Sequence, residues 1–303
     1  MRVALMIEGQ EDVTWDDWRA LAAACEESGI EALFRSDHYL SVFGVAGRGS
    51  LDAWATINAL GAITTKLRLG TLVSPATFRH GSELSKVAVT ADHVSGGRIE
   101  LGLGSGWNQA EHDAYRFPFP PMGERMELME EQLELITSQW SAGSPIEPKP
   151  VQQPRPNLIV GGRGGPRSIR LAARYADEYN TVNKTAEECA ELRRQLDEAC
   201  AAEGRDPIPL SLMTGWLAGE DRAELLDRAG RLSEWTGRGA DAETFLAEQP
   251  PAALAGTIEE GIERIGGLAQ AGVSRVMLQH LLHRDLDAVE QVGRRVVPAV
   301  ASL

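Results

Sequence analysis

Short apolar runs alternate with helix-length amphipathic stretches along the whole chain, and this alternation limits the fold more than any single motif. Val3 to Ile7 reads as a first strand. Behind it Trp15, Trp18, Ala22 and Cys25 share one helical stripe, the spacing of a buried face. Ser28-Gly29 stops that helix, and Ala32-Leu33-Phe34 opens a second strand. A helix near Leu51 to Ile63 leads to a third strand, Leu67 to Val73, and Leu84, Val87, Ala88, Ala91 and Val94 mark the next helix. Ile99 to Leu103 is the fourth strand, followed by a long helix with Met126, Met129, Leu133, Ile136 and Trp140 inward. Leu158 to Val160, Tyr179 to Val182, Leu210 to Met213 and Val276 to Leu278 supply the remaining strands. Alternating βα units predict a parallel sheet, and eight of them favour closure into a (β/α)8 TIM barrel.

The length of 303 residues suits one such barrel, which takes roughly 250 residues before insertions. No composition break divides the chain, so a single domain over 1–303 is expected. Between Gly219 and Pro251 the pattern loosens into charged helix and loop, read as an insertion near the barrel mouth. Asp and Glu total 44 against 30 Lys and Arg, a formal charge of -14. That balance repels phosphate backbones, which argues against nucleic acid and anionic membranes as partners. Cys25, Cys189 and Cys200 form no CxxC pattern, and an odd count fits a reducing, cytoplasmic setting. The amino-terminal segment has neither the charge nor the apolar run of a signal peptide.

In a barrel of this kind the active site lies at the C-terminal ends of the strands. Arg35-Ser36-Asp37-His38 follows the second strand, and a histidine there can relay protons near neutral pH, although a lone histidine is more often structural. Gly104-Ser105-Gly106-Trp107-Asn108 follows the fourth. It leaves room for a flat ring beside the backbone with Trp107 as its wall, or it is a tight turn before a core Trp. Glu111 and His112, just beyond, are reserve acid–base groups. Gly161-Gly162-Arg163-Gly164-Gly165 follows the fifth strand and runs at once into a helix. Backbone N–H groups and the positive helix end can converge there on an anion, unless the glycines only make a turn. His280 and His283 lie on or past a strand, where their spacing points them apart, so a metal pair is not expected. No G-x-S-x-G elbow is present.

The order of these motifs resembles the luciferase-like flavin and deazaflavin oxidoreductases. SDH, LGTLVSPATFRH, DHVSGGRIELGLGSGWNQAEHDAYRFPFPPMGERMELMEEQLELI and IVGGRGGPRSIRLAARYADEYN carry the likeness, from Met1 to about Asn183. In detail it is most similar to the branch that uses coenzyme F420, with FMN as the alternative cofactor. The resemblance implies a ring in the barrel mouth near Asp37, Thr71 and the residues after the fourth strand. It implies a non-prolyl cis bulge at Leu72-Val73 behind that ring, and phosphate at the Gly161–Gly165 loop with Lys184 adding charge. His38 matches a histidine that assists hydride transfer in relatives. Where sugar-phosphate dehydrogenases of the family carry an acidic residue, this chain has Trp107, which argues against glucose-6-phosphate. A small-molecule substrate and a homodimer follow from the likeness; a reductase partner belongs to the FMN alternative, and a non-catalytic flavin-binding protein is the remaining one.

Overall fold

The computed structural model describes residues 1–303. Its centre is eight parallel strands: β1 (Arg2–Ile7), β2 (Ala32–Arg35), β3 (Arg68–Thr71), β4 (Ile99–Gly104), β5 (Asn157–Gly161), β6 (Glu178–Val182), β7 (Leu210–Gly219) and β8 (Arg275–Gln279). β8 pairs with β7 on one side and with β1 on the other, so the sheet closes on itself. This is the (β/α)8 barrel that the alternation predicts. No helix is long and apolar enough to cross a membrane.

Local chemistry sets the helix ends. Thr14 with Asp17, Thr185 with Glu188 and Thr257 with Glu260 form reciprocal capping boxes that satisfy orphan backbone donors. Gly29 and Gly96 end their helices in the left-handed conformation. Period-two alternation along each strand then divides the apolar residues between two cores. Val3, Leu5 and Ile7 face outward into the large core between barrel and helices. Ala4, Met6, Ala32, Phe34, Leu72, Ile159 and Met277 fill the barrel itself.

The barrel floor is ionic rather than apolar. Arg275 is fully buried and donates to Glu100 at 2.7 Å and to Glu178 at 2.6 Å, and Arg68 adds a 2.6 Å bond to Glu100. Burial opposes the charge on Glu100, but Arg275 and Arg68 outweigh it and hold the carboxyl down at about 2. Burial raises Glu178, and the charge of Glu100 beside it acts in the same direction.

Two elements depart from the sequence reading. The third strand stops at Thr71; the Leu72–Val73 peptide is cis, and Ser74–Pro75 resumes pairing with β4 at Leu103 and Gly104. β7 runs on past Met213 to Gly219, because Trp216 to Gly219 pair with a further strand, Leu254–Thr257. Its glycines break the apolar run, and its partner is remote in sequence, so neither strand segment is visible locally. Between them the insertion holds helices Arg222–Trp235 and Ala242–Ala247.

Candidate active site

The register of β2 carries Phe34 into the barrel and delivers His38 to its mouth just beyond the strand. There His38 Nδ1 lies 2.7 Å from Glu111 Oε1, and Glu111 Oε2 accepts the Tyr39 N–H at 2.9 Å. Glu111 is fully buried on the short helix Gln109–Tyr115. The carboxylate thus occupies one imidazole nitrogen and leaves Nε2 available. Burial opposes charge on His38, but the bond to Glu111 and the charges of Glu111, Glu8 and Asp37 raise its pKa above the ordinary 6.5. Trp107 stands edge-on to the imidazole at 5.5 Å and is 58% exposed. His112 does not join this pair: Nε2 is 2.7 Å from the Thr77 hydroxyl and Nδ1 2.6 Å from the Asn108 carbonyl.

Asp37 faces away from His38. It accepts from Arg79 at 2.6 Å and from Ser74 at 2.7 Å, and Arg79 also reaches Asp52 at 2.8 Å. Thr71 spends its hydroxyl on the Gly102 carbonyl at 3.1 Å. Arg48 pairs with Glu11 at 2.6 Å and lies over the Trp235 ring. Arg48 and Arg79 are therefore committed inside the protein, whereas Arg163 is exposed and forms no ion pair.

Behind the mouth, Val73 projects over a row of glycines. A Cβ on Gly104 would meet a Val73 methyl at 2.6 Å, and one on Gly161 would meet it at 2.9 Å. These positions lack side chains because Val73 occupies the space, a reason invisible in the sequence. Leu72 packs below among the interior residues. Ser105, Gly106 and Asn108 complete the turn after β4, and Arg125 donates to the Gly106 carbonyl at 2.6 Å.

The turn after β5 leaves several backbone donors unpaired at a helix start. Gly165 caps the helix Pro166–Tyr175, with Pro at its first position. Gly162 N–H donates to the Asn180 carbonyl and Gly164 N–H to the Tyr179 hydroxyl at 2.9 Å. The N–H groups of Arg163, Gly165, Arg167 and Ser168 have no internal acceptor, and they lie at the positive end of that helix. Lys184 approaches from the loop after β6, its Cε 3.9 Å from where a Gly164 Cβ would stand, with Nζ 3.6 Å from Glu188.

The structure thus brings His38, Glu111 and Trp107 together on one side of the mouth and Gly161 to Gly165 with Lys184 on another. Two residues escaped the sequence reading. Glu8 is the next inward position after Ala4 and Met6, a signal that strand alternation does carry. Tyr179 lies on the outward face of β6, where it counts as ordinary core and its hydroxyl gives no sequence sign of the turn it braces.

Comparison with known proteins places this architecture. An uncharacterized Mycobacterium tuberculosis protein is 31% identical over 173 residues, which cover 53% of this chain and 60% of that protein's length. The FMNH2-dependent dimethylsulfone monooxygenase of Pseudomonas putida is 25% identical over 340 residues, covering 97% of this chain and 91% of the relative. The F420-dependent glucose-6-phosphate dehydrogenase of Microbacterium testaceum is 29% identical over 196 residues, covering 59% of this chain and 57% of the relative. An F420-dependent secondary alcohol dehydrogenase, solved with an F420-acetone adduct, superposes with a TM-score of 0.80 at 18% identity, over 99% of this chain and 98% of that one. The profile of the luciferase-like monooxygenases matches residues 1–284, and the chain belongs to that family.

Proposed function

We propose that this protein is an oxidoreductase that transfers a hydride between coenzyme F420 and a small organic substrate in the barrel mouth. The observation that carries the reading is the His38–Glu111 pair, with Nε2 free, facing a mouth that also holds an anion cradle with four undonated N–H groups. The residues fit the coenzyme: its phosphate suits the Gly161–Gly165 turn, where Lys184 and Arg163 add positive charge. Bound F420 supplies the carbon that gives or takes the hydride. The protein's own part is positioning and proton handling. Val73 and the Gly104–Asn108 turn support the ring, and Trp107 covers the opening and excludes water. Glu111 fixes the tautomer of His38, whose Nε2 holds the proton that the substrate heteroatom gains or loses. A cytoplasmic setting belongs to the same reading, in keeping with three buried cysteines that form no disulfide, and a homodimer is carried over from the family resemblance alone.

A second reading has support of its own, since the FMNH2-dependent relative aligns over 97% of the chain. In that case the same cradle takes the FMN phosphate, and a partner reductase delivers reduced flavin. Direct titration of the purified protein with F420 and with FMN separates the two. The expected result is micromolar or tighter F420 binding with much weaker FMN binding. The reverse order establishes the flavin monooxygenase reading, and turnover failure with tight binding indicates a carrier.

A further inference from the structure

Alternation along β1 sends Ala4 and Met6 into the barrel, and the same register brings Glu8 to the inner side of the mouth. Glu8 is 7% exposed. Oε1 accepts from Gln279 Nε2 at 2.5 Å, and Oε2 accepts from Gln10 Nε2 at 2.8 Å. Gln10 is oriented in turn: its Oε1 accepts the Ser36 hydroxyl at 2.5 Å, and Ser36 Oγ accepts the Gly9 N–H at 3.0 Å. This small network turns neutral amide donors onto Glu8, and no Lys, Arg or His pairs with it. A carboxylate offers about four lone-pair sites, so two remain unfilled.

The other charges around His38 are matched. Arg48 answers Glu11, Arg79 lies between Asp37 and Asp52, and His38 faces Glu111. Arg35, behind β2, spends its donors on the Thr56 hydroxyl and the carbonyls of Ser36, Leu51 and Asp52. Counting Arg35, Arg48, Arg79 and a protonated His38 against Glu8, Glu11, Asp37, Asp52 and Glu111 leaves one negative charge over, and Glu8 is the carboxylate without a cation. Arg163, which forms no ion pair, and Lys184, 3.6 Å from Glu188, lie at the turn after β5 instead. Phe43, Leu51, Trp107, Tyr115 and Met122 are exposed apolar side chains in the segments after β2 and β4, with Arg116 exposed beside Tyr115.

We propose that the mouth selects a small apolar substrate carrying a cationic nitrogen, an amine or iminium, with Glu8 as its counter-ion and Trp107 as its stacking wall. A carboxylate- or phosphate-bearing substrate meets the uncompensated negative charge of Glu8 there. The inference rests on the mouth being the catalytic site, as proposed above.

The test uses the full chain, with and without coenzyme, and three probes sharing one ring: benzylamine, benzyl alcohol and benzoate. Binding is read by quenching of tryptophan emission, with Trp107→Phe as the control that assigns the signal. Benzylamine is expected to bind about tenfold tighter than benzyl alcohol, and benzoate weakest. Glu8→Gln, which keeps the shape, is expected to cancel most of the benzylamine advantage while leaving benzyl alcohol unchanged. Benzoate binding as tightly as benzylamine overturns the proposal, as does no benzylamine binding at millimolar concentration. So does a folded Glu8→Gln variant that keeps the full preference. Failure of both F420 and FMN to bind removes the coenzyme reading alone, because the probe order is also measured without coenzyme.

Discussion

His38 gains its chemical meaning from a residue on a different βα unit. Alone it is a histidine at a strand end; with Glu111 at 2.7 Å it becomes an imidazole with a fixed tautomer and a raised pKa. Replacement by alanine is expected to lower turnover about a hundredfold or more with little effect on coenzyme affinity, and unchanged turnover would refute the role. The pH dependence has a definite sign. Because the folded pKa lies above the unfolded one, stabilisation by His38 is complete below pH 6.5 and is lost as pH rises through the raised value. Glu111→Gln removes the attracting charge, so His38 should lose its proton at lower pH. NMR titration of the imidazole in wild type and variant checks this, and superimposable curves would remove Glu111 from the account.

At the scale of elements, the turn between β5 and the helix Pro166–Tyr175 depends on β6 beneath it. The Tyr179 hydroxyl accepts from Gly164 N–H and lies 3.0 Å from the Ser168 hydroxyl, which donates to the Gly165 carbonyl. A Cβ on Gly162 would stand 2.5 Å from that same hydroxyl, so the turn closes over Tyr179 only with glycine there. Tyr179→Phe removes a hydrogen bond of about 0.5–1.5 kcal/mol and leaves Gly164 N–H free to pivot. F420 affinity should fall about threefold to tenfold while affinity for its phosphate-free deazaflavin core, which needs no such turn, stays constant. Equal loss for both ligands would assign Tyr179 to packing alone. The Gly161–Gly165 turn into a helix was legible because glycine content and helix start are local features. The brace was not, because a buried tyrosine on an outward strand face looks like any other core residue.

For the molecule as a whole, closure of the barrel joins residues from distant parts of the chain at both ends. On the floor, Arg275 from the last strand holds Glu100 and Glu178, all three buried. Arg275→Met strands two carboxylates in a low-dielectric interior and should cost about 3–5 kcal/mol of stability, read as a lower urea midpoint. A change within a few tenths would mean that water or Arg68 already compensates them. The order and faces of most strands and helices were readable from the chain alone, because period-two and period-3.6 patterns and capping pairs act over a few residues. The sequence also located His38, Trp107 and the glycine turn, since each sits just past a strand. Folding of the barrel brings Glu111 rather than His112 to His38, spends Arg48 and Arg79 on internal carboxylates, and leaves Glu8 without an ion-pair partner. It also decided that β7 runs on to pair with Leu254–Thr257. Those outcomes depend on distances between units far apart in the chain, and such distances exist only once the sheet has closed.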